Sequence, residues 1–285
     1  MKIKISGKAG YLGTLISAEL EKQNHIVSGF SRDDLYAPIE KLAEKISGTD
    51  VIINLSGATI LQRWTTKNKQ TIYESRVKTT KNLVSAIIGL PKKLQPKKFI
   101  SVSAIGIYKA GFMHDEMSTN FDDGFIGKVL KDWEKQSEDL PDDIQKVVFR
   151  VGIVLGKNSK TIKNLLLPFK LGLGAIIGSG KQPFPFVHEQ DVARAFVWAV
   201  DEFNNSELFN LVAPERVNNE IFTKELARQL HRPALLFIPG FFLKLLYGKA
   251  SVLLIESPEI TSEKITKAGF EFKYPDINSA LKEIV

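Results

Sequence analysis

The sequence predicts an α/β protein, a doubly wound parallel sheet with a smaller, mainly helical carboxy-terminal lobe, and three observations carry that expectation. Five short runs rich in isoleucine and valine are bounded by turn residues, as strands buried on both faces are. Segments of helical periodicity separate them, so strand and helix alternate. The chain is also longer than one hydrophobic core usually supports, which favours a large domain carrying a lobe.

In chain order the strands are KIKIS, HIVSGF, DVIINLS, KKFISVS and KVVFRVGIVL. The helical segments between them are Tyr11 to Gln23, Lys67 to Ile88 and Phe125 to Asp139. Beyond Gly156 the rhythm breaks. A helix at about 160–170 meets the glycine-rich LGLGAIIGSGK, and FPFVHEQDVARAFVWAV reads as a strand feeding a helix. The expected division is a nucleotide-binding domain over 1–155, re-entered at about 184–213, and a substrate-binding lobe over 156–285. In the lobe Asn218 or Asn219 is placed to cap IFTKELARQLH, and INSALKEIV ends the chain as an amphipathic turn.

Composition narrows the chemistry. There is no cysteine, which removes disulfides, thiolate nucleophiles and zinc-thiolate sites, so any redox chemistry has to come from a bound cofactor. Four histidines without HxxxH or paired-carboxylate spacing argue against a catalytic metal. The net charge of +7 predicts a surface that attracts anions, for which nucleotide phosphates suffice. The lysines are scattered and no nucleic-acid motif accompanies them, so no specific nucleic-acid partner is expected. The start, MKIKISGKAG, reads as a strand and turn without a secretory signal, which leads to the expectation of a cytoplasmic protein. The most apolar stretch, PALLFIPGFFLKLLYG, is interrupted by Pro239, Gly240 and Lys244 and is too short to span a bilayer, so no membrane is expected as a partner. Its phenylalanines, Phe241 and Phe242, suit an apolar pocket, a buried core or a partner-facing patch equally.

The most informative motif is SGKAGYLG. Gly7, Gly10 and Gly13 follow the first strand directly and open a helix, the context that makes GxxGxxG a Rossmann dinucleotide turn. Gly7 permits the tight turn, Gly10 lets backbone approach a pyrophosphate, and Gly13 allows close packing on the sheet. Tyr11 and Leu12 belong to the same cofactor-binding turn, and the helix amino terminus favours the negative charge. At the end of the second strand, NAD-binding proteins present an acid to the ribose 2′-hydroxyl. Here Ser31 stands there and Arg32 follows, a pair that suits a 2′-phosphate and hence NADP(H). Asp33 and Asp34 serve an NAD ribose instead if the strand ends later. The third strand ends in NLSGA, bringing Leu55, Ser56 and Gly57 beside the cofactor ribose groups.

The glycine motif, NLSGA, the pair Arg63 and Trp64, SRVKTT from Ser75, RVGIVLG from Arg150, LLPFKLGLG, IGSGKQ and HRPA, in this order, resemble one group along essentially the whole chain. It is the epimerase-family branch of the extended short-chain dehydrogenases, sugar-nucleotide epimerase-like proteins with a carboxy-terminal domain of unknown function. The resemblance implies that Ser31 and Arg32 contact the 2′-phosphate, Leu55 and Ser56 the adenosine side, and Arg76 and Val154 further parts of NADP. Without the resemblance, Arg76 reads equally as a solvated arginine on a lysine-rich helix.

Catalysis departs from the family pattern. Extended dehydrogenases commonly use a serine or threonine with YxxxK, but Lys128 here is preceded by Gly124, which has no phenol to act as a base. The remaining candidates are Ser103 at the end of the fourth strand and Tyr108 just beyond it, each with an alternative role, as a strand-end hydrogen bond and as an amphipathic rim residue respectively. His188 and Asp191 fit a helix cap better than chemistry. The expected function is hydride transfer between nicotinamide and a carbonyl or carbinol carbon of a small-molecule substrate, carbonyl or sugar-like, as an oxidoreductase or epimerase. The alternative is a non-catalytic NADP(H)-binding protein that senses redox state or scaffolds a partner. Helix pattern leaves open whether the protein is a monomer or a dimer.

Overall fold

The computed structural model describes all of residues 1–285. Its main sheet has six strands, Lys2–Ser6, Ile26–Phe30, Val51–Asn54, Lys98–Ala104, Gln145–Val151 and Glu207–Leu211, called first to sixth in chain order. Across the sheet they run sixth, fifth, fourth, third, first, second, and every neighbouring pair is parallel. The chain leaves the first strand toward one edge and returns on its other side. That reversal opens a crevice between the carboxyl ends of the first and third strands, where ligands of doubly wound sheets bind.

Successive residues of a strand point to opposite faces, and here both faces are covered. Ile5 and Ile53 pack with Ile16, Leu20 and Phe196 from the helices Tyr11–Lys22 and Glu189–Asp201. Ile52 and Phe99 face the other way, onto Leu42, Ile46, Leu83 and Ile87 from the helices Ile39–Ile46 and Thr79–Ile88. Each such side chain contributes about 1.5–3 kcal/mol on burial. Lys98 begins the fourth strand buried, and its ammonium donates to the carbonyls of Ala199, Val200 and Phe203 at 3.0, 2.9 and 2.7 Å. It satisfies the open carboxyl end of the helix Glu189–Asp201, where a cation is favoured.

Several segments differ from the sequence expectation, which named neither the sixth strand nor the helix Ile39–Ile46. The run KVVFRVGIVL is not one strand: the fifth strand ends at Val151, and Ile153–Leu155 pairs separately with Phe186–His188. The break falls at Gly152, where a β-carbon would lie 2.5 Å from the Pro185 carbonyl oxygen and 2.8 Å from Val212. Only glycine lets the re-entering chain come that close. The segment 67–88 is a helix with a π-turn, Glu74–Lys78, inserted between Thr66–Tyr73 and Thr79–Ile88. The third helix stops at Lys135, not Asp139.

The lobe packs the helices Lys160–Lys170, Asn219–Gln229 and Ile277–Ile284 around Leu155, Phe169, Phe222, Leu226 and Leu281. Asn218 caps its helix by accepting from the Ile221 amide at 2.8 Å. His188 caps the helix Glu189–Asp201 through Nδ1, and fully buried Asp191 accepts from the amides of Lys273 and Tyr274 at 2.8 and 2.9 Å. Asp191 thereby fastens the carboxy-terminal segment to the nucleotide-binding half. No helix is long and apolar enough to cross a membrane.

Candidate cofactor site

The glycine turn is built by steric exclusion. Gly7 has φ +76°, and a β-carbon there would lie 3.1 Å from the Leu55 carbonyl group. Gly13 sits under the turn, where a β-carbon would come within 2.2 Å of the Gly7 carbonyl oxygen. The two glycines therefore let the turn, the helix and the third-strand loop meet backbone to backbone. The Ser6 hydroxyl fixes that meeting. It accepts from the amides of Leu55 and Ser56 at 3.1 and 3.2 Å and donates to Asn54 at 2.7 Å.

Arg76 closes the other side. The Ser75 hydroxyl accepts from the Ala58 amide at 2.9 Å, so the π-turn is bound to the loop after the third strand. A β-carbon on Gly57 would sit 2.9 Å from the Arg76 guanidinium carbon, and Trp133 lies 5.4 Å from it on a second side. The guanidinium makes a single hydrogen bond, to the Ile72 carbonyl at 3.3 Å, and has no carboxylate partner. Burial lowers its pKa to about 10, so it stays charged at neutral pH. A largely desolvated cation with unfilled donors, placed at the crevice, is an anion site in waiting.

At the end of the second strand Ser31 caps the short helix Arg32–Leu35 in a capping box with Asp34. Asp34 is committed, accepting from the Ser31 amide at 2.8 Å and pairing with Lys45, whereas Asp33 is exposed and forms no salt bridge. Arg32 is exposed, lies over the Tyr36 ring at 6.0 Å, and has no carboxylate partner. Lys8, which the sequence reasoning passed over, lies across Gly29 and donates to the Val27 carbonyl at 3.0 Å. It also pairs with Glu21 at 3.5 Å, and both line a groove of about 590 Å³ with Ala9, Gly29, Phe30 and Ser31. Its signal was a lysine inside the glycine turn itself. The residues fit a dinucleotide with a phosphorylated ribose: a turn at Gly7 and Gly13 that backbone can approach, and Ser31 with Arg32, in place of an acid, directly after the second strand.

The other expected cofactor residues lie around this crevice or behind it. The Tyr11 hydroxyl donates to the Glu189 carboxylate, beside Gly156. Leu12 and Leu55 pack on the main core. Ser56 is buried, and Val154 lies in the short strand paired with Phe186–His188.

Residues 3–212 match the NAD dependent epimerase/dehydratase family, and residues 238–284 match a domain of unknown function, DUF1731. The chain belongs to the NAD-dependent epimerase/dehydratase family. It is similar to the epimerase family protein SDR39U1 of Homo sapiens, 30% identical with both chains wholly covered, and to the epimerase family protein YfhF of Bacillus subtilis, 31% identical over 100% of this chain and 98% of that one. A crystal structure of the human SDR39U1 protein, solved with NADPH, superposes with a TM-score of 0.92 over 100% of this chain and 99% of that one, at 30% identity. The UDP-N-acetylglucosamine 4-epimerase of Bacillus cereus shares the fold at 16% identity, with a TM-score of 0.78 over 100% and 98% of the two chains.

Within this epimerase/dehydratase fold, Ser103 and Tyr108 belong to one buried polar network at the carboxyl ends of the fourth, fifth and sixth strands. The Ser103 hydroxyl donates to Glu134 at 2.5 Å, and Arg150 donates to the two oxygens of Glu134 at 2.9 and 2.6 Å. A further Arg150 nitrogen donates to the Tyr108 hydroxyl at 2.7 Å, and that hydroxyl donates to Asn210 at 2.9 Å. Burial pushes the Tyr108 phenol above its ordinary pKa, and Arg150 beside it opposes that only in part. Gly124 starts the helix Phe125–Lys135, and Lys128 is exposed on it. Glu134 and Asn210 were not foreseen as partners, because each reaches its place only through sheet register and helix packing.

Proposed function

We propose that the chain is an NADP(H)-binding member of the epimerase/dehydratase family that exchanges hydride with a carbonyl or carbinol carbon of a small, sugar-like substrate. One observation carries the cofactor half: the charged guanidinium of Arg76, without a carboxylate partner, against Gly57 at the crevice between the first and third strands. The human relative solved with NADPH supports the same reading. In this proposal the turn at Gly7, Gly10 and Gly13 receives the pyrophosphate, and Ser31, Arg32 and Lys8 hold the 2′-phosphate. Arg76 neutralises charge near Gly57, and Leu55, Ser56 and Val154 border the adenosine and ribose groups. When bound, the nicotinamide supplies or accepts the hydride.

The chain's own contribution to chemistry would be orientation and proton handling. Ser103 holds a hydroxyl proton toward Glu134, and Tyr108 holds its own between Arg150 and Asn210. For either to serve a substrate oxygen, one of these hydrogen bonds has to be exchanged for a bond to substrate. That requirement favours a second reading, an NADP(H)-binding protein without turnover, in which the network is structural and the missing phenol at Gly124 is decisive. A cytoplasmic setting is part of both readings, and fractionation of the native cells checks it.

Fluorescence titration of apoprotein with NADPH and NADH in parallel tests the cofactor, and a carbonyl screen with the tighter one tests the chemistry. Selective NADPH binding with turnover lost in Ser103→Ala plus Tyr108→Phe is the expected result. Selective binding without turnover in the wild type supports the second reading, and binding of neither cofactor overturns both.

A further inference from the structure

The helix Gly240–Tyr247 is packed the wrong way round for a helix that only serves a core. A helix on a globular protein normally turns its apolar stripe inward. Here Leu243 alone is buried, while Phe241, Phe242, Leu245 and Leu246 form one i, i+4 face that is 63%, 50%, 70% and 62% exposed. The surface continues beyond the helix. The strand Leu236–Ile238 pairs with Ala175–Ile177, and the Arg232 side chain donates to the Lys170 carbonyl at 2.9 Å, which brings exposed Leu171 and Leu235 alongside. Single exposed leucines are ordinary, but a contiguous apolar surface on two adjoining segments marks an interaction site.

The two stretches that build it carry charge of one sign, with Glu220 and Glu256 the acids at their margins. Neither residues 157–188 nor residues 230–255 contain an Asp or a Glu, and together they hold eight Lys and Arg. The protein has 39 basic and 32 acidic residues, so 31 and 32 remain outside these stretches, and the entire positive excess lies here. All eight cations, among them Lys163, Lys170, Lys244 and Lys249, are exposed and none forms a salt bridge. An apolar face whose own stretches carry only unpaired cations, on a helix too short to span, matches the interface of an anionic bilayer, where the apolar side chains enter the acyl boundary and the cations meet phosphate headgroups.

We infer that the protein docks on anionic membrane surfaces through Phe241, Phe242, Leu245 and Leu246 and the surrounding lysines. It lies on the bilayer without crossing it. Arg63 donates to the carbonyls of Leu245 and Leu246 at 2.9 and 3.1 Å, tying this helix to the segment that follows the Leu55–Gly57 loop. Docking therefore sets the loop side of the crevice next to the lipid surface. The inference stands on surface chemistry alone and is independent of the cofactor reading.

The test is flotation of the full chain with phosphatidylcholine vesicles, with and without phosphatidylglycerol, in low and high salt. The wild type is expected to float with the anionic vesicles, weaken in high salt, and stay behind with neutral ones. Phe241→Ser with Leu245→Ser, and separately Lys170→Glu with Lys244→Glu, should each reduce anionic-vesicle binding at least about tenfold. All four side chains are exposed, and an unchanged melting temperature shows that the variants fold. Equal flotation with neutral and anionic vesicles, or unaltered binding by the variants, overturns the inference. So does self-association in solution that the Phe241→Ser, Leu245→Ser pair abolishes while the wild type ignores vesicles, which would make this face an interface between two copies.

Discussion

Two arginines, both withdrawn from water, meet adjacent residues of the helix Phe125–Lys135, Arg76 at Trp133 and Arg150 at Glu134, and differ in how they are paired. Arg150 is almost wholly buried and bonded through all three nitrogens: burial alone would depress its pKa, but Glu134 and Tyr108 more than offset this, and it stands above the ordinary value. Arg76 is less deeply placed yet has one weak hydrogen bond, and burial lowers it to about 10. A buried charge bonded through all three nitrogens and paired with a carboxylate is part of the framework. One with open donors beside a crevice has capacity to bind an anion.

Breaking the Arg150 cluster should have the largest effect. Arg150→Met leaves Glu134 buried without its cation and should cost about 3–5 kcal/mol of stability, read by urea denaturation. A loss below about 1 kcal/mol would remove the contrast with Arg76. His188 extends the comparison to a group that stays neutral. Burial, reinforced by Lys273, lowers it from 6.5 to about 4, and its Nε2 has no partner. The unfolded chain binds this proton first, so stability should be intact above pH 6.5 and fall as pH drops toward 4, by about 3 kcal/mol in total. Replacing it as His188→Gln should flatten that part of the pH profile.

Smaller effects sharpen the cofactor side. Gly57→Ala pushes a methyl against the flexible end of Arg76 and should weaken NADPH binding several-fold, about 1 kcal/mol, with little change in melting temperature. Arg32→Ala should narrow the preference for NADPH over NADH by about tenfold while leaving NADH affinity in place. Unchanged NADPH affinity in this variant would mean that an exposed arginine had been given a role it does not have.

The alternation of short apolar runs and amphipathic segments made five of the six strands legible, because a parallel strand carries its signal within four to seven residues. The glycine turn was legible for the same reason: its three positions lie within seven residues of one another. The break at Gly152 was hidden, since what forces it is Pro185, brought there by the re-entering chain. The network joining Ser103 and Tyr108 to Glu134, Arg150 and Asn210 was equally hidden, as Tyr108 meets its partners across 42 and 102 residues of sequence. The sequence also showed that residues 233–248 are apolar without showing which way they face. Only packing reveals that Leu243 alone turns inward.

The central claim is that the open donors of Arg76 are a cofactor site, and titration of the wild type and Arg76→Met with NADPH, with melting temperatures measured alongside, tests it most directly. The account predicts an affinity loss of about 10–100-fold, with stability unchanged or slightly raised because an unpaired buried charge has gone. Equal NADPH affinity in the two proteins, or a loss of stability that accounts for the weaker binding, would contradict it.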